Sequence, residues 1–226
     1  MPVKHERRLQ VFRTMTGRGA LDVADRYRQG FAKQGIEIER DLVNYLDKTD
    51  AIMTNPRYTR RGAKEEAALL AKAQDVELAK ALEKIDAKLG LEIDTRKAAA
   101  LRAPKRDHDP TLGYLKQRDM VDYFNSVKDP LQQRVVLDTA VREKDLELLD
   151  ALATAPRYRR QFDMAQVNAA REQVATVVDP ELDQLVALRD SHARAYNSAR
   201  TVVQETLEQV RQLEDMTTPQ MTGGVR

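Results

Sequence analysis

Cysteine and tryptophan are both missing from this chain of 226 residues, and aromatic residues make up only 5% of it. Without cysteine there is no disulfide, no thiolate nucleophile and no thiolate-ligated metal. No stretch approaches the roughly 18 consecutive apolar residues of a membrane-crossing helix, and the opening "MPVKHERRLQVF" lacks the apolar run of a signal peptide. The expectation is a soluble protein that stays where it is made. Charge of one sign is also lacking, with 38 Lys+Arg against 36 Asp+Glu. A formal net charge of +2 argues against a general affinity for nucleic acid or acidic membranes, so any such affinity must come from local clusters. The hairpin dipeptides Asn-Gly and Asp-Gly are absent, and the best alternating segment, "GIEIERDLV", runs straight into helical spacing, so no β signal competes.

What is abundant is charge, at 33%, and apolar residues recurring at helical period. From Ala63 to Leu89 the residues Ala67, Leu70, Ala73, Val76, Leu82 and Ile85 recur at three- and four-residue steps, and Gly90 reads as a C-terminal stop. Val121, Phe124 and Val127 continue the pattern, followed by one stretch from Leu131 to Ala153 opened by an Asp129 cap and Pro130 in the first turn. Asp179-Pro180 repeats that signal and opens the longest periodic segment, expected to run to about Asp215, interrupted by Arg189, Ser191 and His192. The expected fold is all-α: elongated helical hairpins or a bundle with a long C-terminal helix. "LRAPKRDHDPTLGY", residues 101–114, carries two prolines, a glycine and clustered charge. It divides the chain into an N-terminal helical part, 1–106, and a C-terminal helical part, 107–216, with a polar tail at 217–226.

One phrase occurs twice. "LDKTDAIMTNPRY" at 46–58 is echoed at 146–158 by "LELLDALATAPRY". Proline disfavours the α conformation in the residue before it, so Asn55 and Ala155 should close helices. Each following arginine then lies near the negative end of a helix dipole, and each tyrosine can fold back over the last apolar turn. Second helices should open at Thr59 or Gly62 and at Asp163 with Gln166. Two helix-turn-helix corners with similar chemistry account for the echo, with duplication as the alternative.

The same regions carry a resemblance. "NPRYTRRGAKEEAALLAKA", 55–73, resembles a phrase leading into a charged helix in small helical proteins encoded among bacteriophage head and tail genes, and "VVLDTAVREKDLELLDALATAPRY", 135–158, is similar to a second such phrase. Arg159-Arg160 departs from that pattern, where an apolar-glycine continuation is expected. The resemblance implies a virion component or an assembly factor, found in the virion or the host cytoplasm; neither phrase contains a catalytic signature.

Chemistry-bearing constellations are few. His5, His108 and His192 are far apart, and none has the local Glu or His spacing of a helical metal site. "DHD" at 107–109 could bring two carboxylates and an imidazole to a metal, but reads more simply as a solvated turn and helix cap. Gly17-Arg18-Gly19 lacks the ending of a phosphate loop and reads as a flexible joint. Of three serines none lies in a Gly-x-Ser-x-Gly elbow, and Ser191 and His192, adjacent on a helix, point about 100° apart. No enzyme activity and no cofactor are expected.

Two function classes follow. In the first, a structural or assembly protein presents the apolar face of its last helix, Val203, Leu207, Val210 and Leu213, to another copy or to a capsid, portal or connector protein. In the second, an accessory factor contacts nucleic acid through basic clusters in the N-terminal half, led by Lys4, Arg7, Arg8 and Arg13 and by Arg57, Arg60 and Arg61. A third basic group spans Arg96, Lys97, Arg102, Lys105 and Arg106.

Overall fold

The structure, a computed structural model, describes the backbone of residues 2–102 and 109–212 and the side chains of those residues from Glu6 onward. The described residues form eight α-helices and no strand: α1 (Pro2–Leu21), α2 (Asp25–Thr54), α3 (Arg60–Ala100), α4 (Pro110–Ser126), α5 (Pro130–Glu143), α6 (Leu146–Thr154), α7 (Met164–Val178) and α8 (Glu181–Gln212), with a 3₁₀ turn at Arg157–Arg159 between α6 and α7. The all-α expectation and the long last helix are both found. The chain divides into two compact units, the first made of residues 1–89 and 187–226, the second of 90–186. The divisions fall inside α3 and α8, whereas the segment 101–114, whose last five residues open α4, belongs to the second unit.

Unit 1 packs α1, α2, the first part of α3 and the last part of α8. Their directions follow from their polar pairs. Arg13 meets Glu39, and Thr16 lies beside Gly35, so α1 and α2 run antiparallel. Asp86 meets Arg189, Asp75 meets Arg200 and Lys64 meets the carbonyl of Arg211, so α3 and α8 also run antiparallel. The core takes Phe12 from α1, Phe31, Ile38, Leu42, Tyr45 and Leu46 from α2, and Tyr196, Ala199 and Val203 from α8. On α3 the buried row is mostly alanine, Ala63, Ala67 and Ala71 with Leu78, small residues that let helix backbones approach closely.

Two expectations about helix ends are corrected here. Gly17-Arg18-Gly19 lies inside α1 and is no joint; the break falls at Asp22–Ala24, where the buried Val23 anchors the turn and Arg28 Nε donates to the carbonyl of Ala20 at 3.1 Å. Gly19 has a packing reason instead, since a Cβ there would sit 3.2 Å from Phe31 Cζ. Gly90 does not stop α3, which continues to Ala100. Its φ is not positive, and the buried Leu89 and Ile93 on either side hold the helix through it.

Unit 2 builds its core from Val121 and Phe124 of α4, Leu137 and Ala140 of α5, Leu149 and Leu152 of α6, and Val167 and Val174 of α7. The single stretch expected from Leu131 to Ala153 is two helices. Lys144 adopts the left-handed conformation at φ 56°, its N–H returning to Ala140 and Val141, and Asp145 then caps α6 by accepting from Leu148 N at 3.0 Å. Caps read from sequence are in place: Asp109, Asp129 and Asp163 each accept from the backbone N–H two residues on, at 2.8 to 2.9 Å. At the start of α8, Arg96 donates to Asp179 at 3.0 Å and pairs with Glu181 at 2.6 Å.

Candidate functional site

The face assigned to partners from sequence is mostly interior. Val203 is 1% exposed and Val210 is also buried, because α8 lies among α1, α2 and α3 in unit 1 and its apolar stripe has neighbours on several sides. Tyr45 Oη reaches the carbonyl of Val203 at 3.4 Å, which places that part of α8 against α2. Leu213 lies outside the described residues. Leu207 alone stays half-buried, and it lines an open groove of about 570 Å³ between α3 and α8 together with Ala68, Leu69 and Lys72.

A second groove, about 460 Å³, runs between α2 and α3 and is lined by Ala51, Ile52, Leu70 and, again, Leu69. Leu69 therefore stands as a ridge between two grooves, 63% exposed. Exposed Ala73 and Val76 follow it at steps of four and three, so the three share one stripe. This row is nearly opposite the buried alanine row, since Leu69 and Ala71 are two residues, about 200°, apart on the helix. Sequence reading merged the two rows into one stripe. The signal that separates them is present: apolar residues on opposite sides of α3 cannot all face one core.

Among the described residues, several members of the basic clusters are buried or engaged by carboxylates. Arg8 is buried and donates from Nη1 to Thr206 Oγ1 at 2.5 Å, leaving Nη2 without a partner. Arg13 lies between Glu39 and Glu6, which hold its guanidinium in the charged form, the hydrogen bond to Glu39 contributing most. Arg61 pairs with Glu65 at 2.8 Å. Arg7, Arg57 and Arg60 are exposed. The side chain of Lys4, like Lys105 and Arg106, lies outside the described residues. In the third group Arg96 and Lys97 are engaged by Asp179, Glu181 and Glu172.

The two echoed corners share their helix ends and differ beyond them. Asn55 and Ala155 close α2 and α6 in extended conformation, as the prolines require. Thr54 and Thr154 each donate to the carbonyl four residues back, Asp50 at 2.8 Å and Asp150 at 2.7 Å. Thr59 then caps α3, accepting from Gly62 N at 3.1 Å. The tyrosines do not clamp these ends: Tyr58 is exposed, and Tyr158 is 84% exposed. In the second corner the helix end is held by Arg160, whose Nε donates to the carbonyl of Ala155 at 2.6 Å. Asn125 of α4 pins the same segment, donating to the carbonyl of Arg159 at 2.8 Å and accepting from Gln161 N at 3.1 Å. The Arg159-Arg160 departure from the bacteriophage phrase thus has a local structural role.

Ser191 and His192 interrupt the apolar pattern of α8 yet are both buried. Ser191 Oγ donates to the carbonyl of Gly19 at 3.2 Å, and the His192 ring meets Phe31 edge-on with centroids 5.1 Å apart. Burial lowers the His192 pKa, and its Nδ1 has no hydrogen-bond partner. Among the described residues no group of three or more His, Asp or Glu is placed to hold a metal; Asp107 and His108 of the DHD phrase lie outside them, and Asp109 caps α4. Among the described residues no helix is long and apolar enough to cross a membrane.

No protein-family model, curated protein or solved structure matches the chain.

Proposed function

We propose that the chain is a non-enzymatic virion structural or assembly protein of a tailed bacteriophage, which self-associates through helix faces and contacts a capsid, portal or connector protein. The observation that carries this reading is apolar surface in rows on regular helices. Leu69 and Val76 stand exposed on α3, and Leu131 and Val135 stand exposed four residues apart on α5. Moving one such leucine out of water is worth about 1.5 to 3 kcal/mol, so a few of them in one interface supply a real driving force. The bacteriophage-like phrases at 55–73 and 135–158 fall on α3 with its preceding corner and on α5 and α6, and α3 and α5 are the helices that carry these rows.

The nucleic-acid reading draws on the exposed side chains of Arg7, Arg57 and Arg60, and Arg8 is interior. Light scattering of the purified chain with and without DNA across a salt series separates the two. The structural role predicts oligomers indifferent to DNA and detection of the chain in gradient-purified particles. A monomer that binds DNA with steep salt dependence would replace it with the accessory-factor role.

A further inference from the structure

We propose that the exposed row of α3 is a self-association seam, on which a second copy of this chain lays its own α3 antiparallel about a two-fold axis passing between Lys72 and Ala73. The proposal names the surface for the self-association proposed above and rests on that reading. Leu69, Ala73 and Val76 occupy one stripe of α3, and the same stripe ends in Glu65 on one side and Lys80 on the other. A two-fold axis turns this order into complementarity. With the axis between residues 72 and 73, Leu69 of each copy faces Val76 of the other, and Glu65 faces Lys80 of the other, each pair occurring twice. From Glu65 to Lys80 the seam spans about 22 Å of helix at 1.5 Å per residue. A parallel arrangement would instead set Glu65 against Glu65 and Lys80 against Lys80, so charge selects the antiparallel one.

Shape agrees with charge. Leu69 is a ridge flanked by the α2–α3 groove, where Ile52 and Leu70 lie, and by the α3–α8 groove, where Leu207 lies. Ridges pack into grooves at helix contacts, and under two-fold symmetry the ridge of each copy enters a groove of the other. The charged ends are free to re-pair. Glu65 now meets Arg61 and Lys80 meets Glu77, but both are exposed pairs within one helix, of the kind that contribute little.

The test is the mass of the full-length chain in solution by analytical ultracentrifugation at low salt. Wild type is expected to be a dimer, and Leu69→Asp with Val76→Asp is expected to raise its dissociation constant at least tenfold while leaving the helical circular-dichroism signal unchanged. Glu65→Lys and Lys80→Glu should each weaken the homodimer, because each sets like charges across the seam. An equimolar mixture of these two single variants should form a heterodimer, since both of its cross-seam pairs are again opposite in charge. A monomeric wild type overturns the seam, as does a mixture that associates no better than its components. A dimer unaffected by the Leu69 and Val76 substitutions overturns the seam while leaving the assembly role standing on another surface, and incorporation into particles reads that role separately.

Discussion

At His192 a polar ring is held in an apolar corner, edge-on to Phe31, with one ring nitrogen unpartnered. Burial disfavours the imidazolium, so its pKa in the folded chain lies below the usual value of about 6.5. The unfolded chain therefore binds the proton first, and stability falls as pH drops from about 6.5 towards the folded value. His192→Leu should lose less stability than wild type between pH 7 and 5.5, measured by urea unfolding at each pH; parallel pH curves would show that His192 does not titrate on unfolding. Asp75, by contrast, is held below the usual carboxylate range by the hydrogen bonds from Arg200, so its contribution is present above about pH 4 and is lost only in stronger acid. The echoed tyrosines illustrate the limit of local reading. Tyr158 shares its neighbours in sequence with a helix end but is 84% exposed, and Tyr158→Ala should change unfolding free energy by less than about 0.5 kcal/mol. A loss above about 1 kcal/mol in denaturant melts would restore the clamp. Arg160 has taken that role because its side chain is long enough to return to the carbonyls of α6.

Several helix ends in this chain are set by chemistry that acts over a few residues and were legible for that reason. Asp109, Asp129 and Asp163 cap their helices, and Pro56 and Pro156 close the ones before them. Glycine was read too literally. At Gly90 the helix continues because buried side chains on both sides favour it, and nothing stands within 4 Å of a Cβ built there. Gly90→Ala should accordingly stabilise the protein by about 0.5 to 1 kcal/mol through the lower backbone entropy of the unfolded chain. The reverse applies at Lys144, a non-glycine residue at φ 56°, where Lys144→Gly should relieve left-handed strain and raise stability by about 0.5 to 1 kcal/mol. Both are read as shifts in the denaturant midpoint at constant slope, and a destabilised variant in either case would mean that the local backbone is constrained in some other way.

At the scale of the whole molecule, the decisive feature is that a unit is assembled from both ends of the chain. Residues 187–212 of α8 complete the core of unit 1, and unit 2 is the continuous segment 90–186. Because its core draws on α4, α5, α6 and α7, all within that segment, residues 90–186 expressed alone should give a helical spectrum and a cooperative thermal transition. A broad melt without a baseline would show that this core depends on the rest of the chain.

The sequence by itself determined the helical class, the caps at Asp109, Asp129 and Asp163 and the proline corners, because each depends on residues within a turn or two of one another. It did not determine which apolar residues lie inside. Val203 and Val210 looked like an edge for partners and are core, whereas Ala73 and Val76 looked like part of a core stripe and are exposed. Periodicity says only that residues share a face. Which face is covered depends on the helices packed around it, and Val203 is covered by α2, a helix some 158 residues away in sequence at Tyr45. That pairing is a long-range outcome of burying several stripes at once, and only the tertiary structure decides it.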